Sequence, residues 1–363
     1  MAKGQFNNIA IKGISCAVPN QIREANYWYS KFGKEAVDKF VNMTGVYRVC
    51  QARENQTASD LAYVAATNLF KHKNIDPKSI GALVFISQGP DYRLPATACV
   101  LQYRLGLPQE CICFDVNLGC SGYVFGLNII ASLMNDSNID RALLLVGDTS
   151  TKGISPEDKS SSMLFGDSGS ATLLEKTNNQ EDVIKFHLKT DGSRFKAIIK
   201  PAGAYRNLNA SKERVLWKVD GNVRSDYDTY MNGTEVFIFS ISDVPKLIKE
   251  FMIETNTTIE DYDCFIMHQA NLYILKQIAK KLKLPLEKMP VSIDSFGNTS
   301  VTSIPLTLAN CYGEIKSGKI NVLMCGFGVG LSWGVVTSKM DLNDIMPIVY
   351  TGDYFKEGGI SHD

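Results

Sequence analysis

Along the chain, short continuous apolar runs alternate with longer stretches whose apolar residues recur at helical spacing. Ala82-Leu83-Val84-Phe85-Ile86-Ser87, Ala142-Leu143-Leu144-Leu145-Val146 and Val322-Leu323-Met324-Cys325 end in glycine or polar residues. Unbroken runs of this length predict strands buried on both faces. Residues 58–73 and 244–255 read as helices lying between strands. The alternation predicts an α/β fold.

The pattern then repeats. Ile80-Gly81-Ala82-Leu83-Val84-Phe85-Ile86-Ser87-Gln88 has the same form as Tyr262-Asp263-Cys264-Phe265-Ile266-Met267-His268-Gln269. A glycine elbow opening an apolar helix follows each, Leu118-Gly119-Cys120-Ser121-Gly122 and Phe296-Gly297-Asn298-Thr299-Ser300. A buried strand ending in glycine closes each, at Val146-Gly147 and Cys325-Gly326. The three pairs share one offset of roughly 180 residues, the mark of an internal duplication. A site between duplicated halves draws on corresponding loops, which selects Cys120 from one half and His268 and Asn298 from the other.

The 363 residues are 45% hydrophobic and 21% charged, ordinary globular values, and the formal net charge is zero. That balance gives no support for nucleic-acid binding or attraction to an anionic membrane. The first eight residues lack the apolar run of a signal peptide, and no stretch approaches the ~18 apolar residues of a membrane span. A cytoplasmic protein is the default expectation. Nine cysteines, an odd number placed mostly in apolar runs, read as buried thiols of a reducing compartment rather than a disulfide framework. None has zinc-ligand spacing. Cys111 and Cys113 are predicted to share one face of a strand.

Cys120 precedes an apolar helix over 121–130, where the helix dipole favours a thiolate; a packed core cysteine is the plainer alternative. His268 ends a strand, the place where α/β folds face their ligand crevice. A neutral imidazole there donates a hydrogen bond or moves a proton. His72, His187 and His362 have plainer settings: a helix end, an alternating strand and the tail. Asn298 reads either as a turn residue or as an amide donor to a developing oxyanion. Gly326-Phe327-Gly328-Val329-Gly330 lacks dinucleotide-loop spacing and reads as a turn offering backbone N–H groups to a site. Phe165-Gly166-Asp167-Ser168-Gly169 reads as a structural turn.

These elbows, together with His268-Gln269-Ala270-Asn271, the closing run Gly326 to Gly334, Leu94-Pro95-Ala96-Thr97-Ala98-Cys99 and Met231-Asn232-Gly233-Thr234-Glu235-Val236-Phe237, resemble β-ketoacyl-ACP synthase III. The resemblance covers about residues 8 to 338. It implies a thiolase-like α/β fold, two duplicated βαβ-type halves in five layers (α-β-α-β-α). The expected division is 1–180 carrying the cysteine, 181–338 carrying histidine and asparagine, and an extension over 339–363. It further implies a homodimer, an acyl-CoA or acyl-ACP donor, malonyl-ACP and acyl carrier protein as partners, and no metal or other cofactor. In that scheme Cys120 carries the acyl group, N–H groups of Cys120 and Val329 hold the oxyanion, and His268 and Asn298 support an enolate. Leu94 and Phe165 are the expected acyl-pocket or dimer-gate residues, and Lys276, Lys280 and Lys281 the carrier-docking residues.

The chain departs from the family where tryptophan and arginine usually clamp CoA: Lys39 and Met43 stand there, and Lys159 replaces a further arginine. Tyr273 replaces a docking arginine. A non-decarboxylating acyltransferase, a cysteine protease and a non-catalytic scaffold are the competing readings. The protease suits a secreted, disulfide-bearing chain with its cysteine near the N-terminus, unlike this one. The aromatic residues Tyr350, Tyr354 and Phe355 predict that the extension packs.

Overall fold

The structure, a computed structural model, describes residues 2–356. Residues 357–363, and with them His362 and the end of the expected 339–363 extension, lie outside the described residues. The strands of two large sheets are, in chain order, β1 (Lys3–Asn7), β2 (Ile9–Pro19), β3 (Ala82–Ile86), β4 (Ile112–Val116), β5 (Arg141–Asp148), β6 (Ser168–Lys176), β7 (Val183–Thr190), β8 (Cys264–Met267), β9 (Lys319–Gly328), β10 (Ser332–Asp341) and β11 (Val349–Thr351). The helices longer than one turn are α1 (Lys34–Thr44), α2 (Ala58–Lys73), α3 (Thr97–Arg104), α4 (Gly122–Asn135), α5 (Gly233–Thr255), α6 (Leu272–Leu282) and α7 (Ser303–Tyr312).

One sheet runs β11-β2-β6-β5-β3-β4 and the other β1-β7-β10-β9-β8. β3 lies parallel to β5 as β8 lies parallel to β9, with Ala82 opposite Ala142 and Cys264 opposite Val322. β5 pairs antiparallel with β6, and β6 with β2; β9 and β10, then β10 and β7, do the same. Four strands of each sheet therefore share one order and one set of directions, as the sequence repeat predicts.

The continuous apolar runs are continuous because both faces of these strands are covered. Ala82, Val84 and Ile86 join α4, α7 and the inner face of the second sheet in one core, with Ile266, Val322 and Met324. Leu83 and Phe85 face the opposite way, onto α2 and α3. Phe265, Leu323 and Phe327 do likewise toward α5 and α6. The result is five layers, helix-sheet-helix-sheet-helix, with α4 and α7 in the middle. Burial of this kind contributes roughly 25 cal/mol per Å2 of apolar surface.

Two edge strands cross the expected divisions. β1, from the first segment, pairs with β7 at the edge of the second sheet. β11, from the extension, pairs in parallel with β2 of the first, Tyr350 opposite Val18. Beyond it, Gln56 Nε2 donates to the carbonyls of Thr351 (3.3 Å) and Asp353 (2.9 Å). The Phe355 N–H donates to Asp60 Oδ1 at 2.9 Å. Arg104, paired with Asp60 at 3.0 Å, has its guanidinium 4.2 Å from the centre of the Phe355 ring. The extension packs through β11 and the Phe355 backbone and ring, yet Tyr350, Tyr354 and Phe355 all stay partly exposed, at 49%, 36% and 39%.

Candidate active site

Cys120 lies at the turn into α4, in the central layer, and is 8% exposed. The end of β9 presses against it: a Cβ on Gly328 would sit 2.5 Å from Cys120 Cβ, and the residue has φ +157°. Only glycine meets both conditions. Farther along α4, a Cβ on Gly126 would lie 2.7 Å from Ile86 Cδ1, so its absence lets the helix settle onto the sheet. Among the described residues no side chain caps α4; Ser121 Oγ instead bonds Ser332 Oγ at 2.6 Å.

The dipole argument from sequence predicts a favoured thiolate, but burial outweighs it. Desolvation pushes the Cys120 thiol up to about 11, against hydrogen bonds from the Val329 backbone, the Ser300 side chain and its own N–H, while the nearby Asp148 charge adds to the rise. Cys120 therefore rests as a thiol. Gly328 brings the closing glycine run against the sulfur, which would lie 2.9 Å from a Cβ at that position.

His268 follows β8 and is 2% exposed. Its N–H donates to the Cys325 carbonyl at 2.8 Å, which fixes its backbone to β9. The ring stands edge-on to Phe327, centroids 5.3 Å apart, and Nδ1 lies 2.7 Å from Ser303 Oγ. Burial drives its pKa down to about 3, a hydrogen bond to the Ser300 backbone opposing. The imidazole is neutral through the ordinary pH range.

Asn298 is held on both sides by the turn that precedes β6. Its N–H donates to the Leu164 carbonyl (2.8 Å) and its carbonyl accepts from the Gly166 N–H (3.1 Å). The Phe165-Gly166 turn thus shapes the site as well as the fold. The Asn298 Oδ1 accepts from the Ser300 N–H at 2.9 Å, which turns Nδ2 outward, with only a long 3.4 Å contact to the Ala270 carbonyl. Ser300 lies between the elbows: its N–H bonds Asn298 Oδ1, and its hydroxyl lies 3.4 Å from where a Cβ on Gly119, next to Cys120, would stand. It sits at φ +51°, a conformation that costs a non-glycine residue about 1–2 kcal/mol. Neither Ser300 nor the buried Asp148 stands out in the sequence. The only signal for Ser300 is its place two residues after Asn298.

The remaining candidates are spread around this centre. Phe165 lines a small cleft of about 60 Å3 with Arg23, Trp28, Val49, Thr151 and Ile154. Leu94 is 78% exposed, on a loop anchored where Asp115 accepts from the N–H groups of Thr97 and Ala98, both at 2.7 Å. Lys276, Lys280 and Lys281 are exposed on α6. Tyr273, at the start of that helix, stacks on Phe237 with centroids 5.6 Å apart. Lys39 and Met43 are exposed on α1, and Lys159 is exposed with its N–H bonded to Asn222 Oδ1 at 3.0 Å. Cys111 and Cys113 do share a face, their sulfurs 3.7 Å apart.

Two duplicated halves in five layers, with a buried thiol at the turn into the central helix, mark the class: an acyl-transferring condensing enzyme on the thiolase fold. Residues 114–192 match the family 3-oxoacyl-acyl-carrier-protein (ACP) synthase III, and residues 252–340 match that family's C-terminal region. The chain is 32% identical over 296 residues to the β-ketoacyl-ACP synthase III of Methylococcus capsulatus, 81% of this chain and 87% of that one. It is 30% identical over 334 residues to that of Clostridioides difficile, 92% and 98% of the two chains. The chain belongs to the 3-oxoacyl-ACP synthase III family. Among solved structures, a 3-oxoacyl-ACP synthase from Burkholderia xenovorans LB400 superposes with a TM-score of 0.90 at 37% identity, covering 96% of this chain and 99% of that one. No helix among the described residues is long and apolar enough to cross a membrane.

Proposed function

We propose that the chain carries out a two-stage acyl transfer and condensation with Cys120 as acyl carrier. In the first stage the Cys120 sulfur attacks an acyl thioester, and the donor thiol leaves. The N–H groups of Cys120 and Val329 receive the oxyanion of the tetrahedral intermediate. In the second stage malonyl-ACP loses CO2, and its enolate carbon attacks the acyl-enzyme to give a β-ketoacyl-ACP. His268 and Asn298 donate to the enolate oxygen. In this reading His268 carries its proton on Nε2, and Nδ1 accepts from the Ser303 hydroxyl 2.7 Å away. With Asn298 Oδ1 occupied by Ser300, its N–H2 is the end presented to substrate.

The observation that carries this reading is Cys120, buried where Gly328 at the end of β9 and the Ser300 hydroxyl close on its elbow, with Asn298 Oδ1 held by the Ser300 N–H. A neutral histidine suits hydrogen-bond donation to an enolate. The cleft beside Phe165 is the proposed acyl approach. Lys276, Lys280 and Lys281 offer positive charge to an acidic carrier. β4 is an open sheet edge, with Ile112 45% exposed. Pairing of that edge with a second copy would form a homodimer, with Leu94 of one protomer at the other's cleft. The reaction is assigned to the cytoplasm.

Intact-protein mass spectrometry tests the assignment, using a panel of acyl-CoAs and acyl-ACPs with Cys120→Ala as control. One acyl mass gained by the native chain and none by the variant is expected. No adduct from any donor overturns the role of Cys120. Malonyl consumption by the acylated protein separates condensation from simple transfer to an amine or hydroxyl.

A further inference from the structure

Cys111 stands in the bend that leads into β4, and Cys113 is the second residue of that strand. The Cys111 N–H donates to the Pro108 carbonyl at 3.2 Å, which sets the bend. Side chains two residues apart on a flat strand stand about 6.6 Å apart. Here the bend brings the two sulfurs to 3.7 Å, within a shared hydrogen bond, and Cys113 Sγ leans back to 3.5 Å from the Cys111 carbonyl oxygen. Among the described residues no other two cysteines share such a contact.

The pair faces the outer layer of helices. Cys111 is 8% exposed and packs with Leu83, Leu101 and Leu105; Cys113 lies against the same cluster and is partly open to solvent. α4, which follows the Cys120 elbow, packs on the other face of the sheet. The two thiols therefore have no place in the acyl chemistry. Among the described residues no histidine, carboxylate or third cysteine joins them to make a metal site.

The two thiols also differ in acidity. The hydrogen bond from Cys111 holds the Cys113 thiol below its ordinary value, while the same bond and burial push the Cys111 thiol up. Cys113, the more exposed of the two, is thus the better nucleophile, and Cys111 waits beside it. A disulfide needs about 2.05 Å between sulfurs, so closure brings these two together by about 1.6 Å. Side-chain rotation and the bend at Cys111 supply that movement.

We propose that Cys111 and Cys113 are a reversible redox site, closing to a disulfide by exchange with a low-molecular-weight disulfide. The Cys113 thiolate attacks one sulfur of the small disulfide, and the other sulfur leaves as a thiol, taking up the proton that Cys113 gave to solvent. Cys111 then loses its proton and attacks the Cys113 sulfur. The second small thiol leaves with that proton. Two protein thiols are oxidised, and one small disulfide is reduced to two thiols. In a reducing compartment the pair rests as the dithiol, and it closes as oxidant rises.

The test exposes the native chain to glutathione disulfide, raised until the exposed lone thiol Cys99 carries glutathione. Remaining thiols are alkylated, and the chain is cut after Glu110 and Asp115. Segment 111–115 is expected to be two hydrogens lighter than its reduced form, closed to alkylation and opened again by dithiothreitol. Cys111→Ser should instead hold one glutathione on Cys113, because no neighbouring thiol is left to displace it. Cys113→Ser should load Cys111 about tenfold more slowly, since that sulfur is buried. A native segment that stays fully alkylated while Cys99 carries glutathione overturns the proposal, as does a native Cys113 that keeps its glutathione. No glutathione on Cys113 in Cys111→Ser overturns its role as the attacking thiol. These readouts need no acyl donor, so they stand apart from the assignment of Cys120.

Discussion

The two halves carry the same strands in the same order, yet their elbows differ. α4 begins at Gly122, two residues after Cys120; α7 begins at Ser303, five after Asn298. The added residues form a single turn, Ser300–Thr302, that starts in a left-handed conformation. Counted back from its helix, the positional equivalent of Cys120 is Val301 rather than Asn298. Val301 is buried against α4, where a Cβ on Gly122 would meet its Cγ2 at 2.8 Å. One elbow presents a side chain directly. The other spends its extra turn on a backbone N–H, that of Ser300, which fixes the side chain of Asn298. A shared frame sets where a site can form, and local turn geometry sets its chemistry.

If the halves divide the reaction this way, they separate by mutation. His268→Ala and Asn298→Ala should each lower condensation with malonyl-ACP by about 100- to 1,000-fold, roughly 3–4 kcal/mol. Acyl-Cys120 formation should stay within several-fold of native. The check is acyl-enzyme mass alongside β-ketoacyl product formation. Loss of both stages together would break the division.

The next effect joins the halves. Gly328→Ala places a methyl from the second half against the nucleophile of the first. An overpacked core typically loses 1–3 kcal/mol, about 3 here given the adverse φ. Thermal unfolding and acylation should both report it. Gly326→Ala, whose Cβ would lie 3.0 Å from Ser121 Cα, is the milder comparison.

The edges differ as well, one sheet closed by β1 and the other by β11. Truncation after residue 348 removes β11 and the Phe355 contacts with Asp60 and Arg104. A loss of about 2 kcal/mol is expected, lowering the melting temperature by a few degrees with the acylation site intact. A truncated chain that melts like the native one would make the extension an ornament of the first sheet.

Much of this was legible in sequence because burial on both faces leaves a continuous apolar run. β3, β5 and β9 announce themselves in that way, and so does their repetition. β1 does not: Lys3-Gly4-Gln5-Phe6-Asn7 is a mostly exposed edge. Cys120 and His268 were readable as residue types placed where turns leave buried strands. Ser300 and Asp148 were not, since a serine after a turn and an aspartate after a strand are ordinary surface residues until packing buries them. The expected thiolate failed for the same reason. A helix entry is visible in sequence, whereas the depth of its burial is not.

The smallest effect concerns the outer layers. α6, on the second half, exposes Lys276, Lys280 and Lys281; α2, on the first, exposes Lys71. Charge matters there through encounter with an acidic carrier, a long-range effect that salt screens. Replacing the three α6 lysines with glutamate should slow malonyl-ACP condensation roughly tenfold at low ionic strength, and less as salt rises. Acylation from a small acyl-CoA should change little. Lys71→Glu should leave both unchanged, because α2 covers the opposite face of the molecule. Equal sensitivity at the two helices would mean that the carrier reads net charge rather than the helix that follows His268.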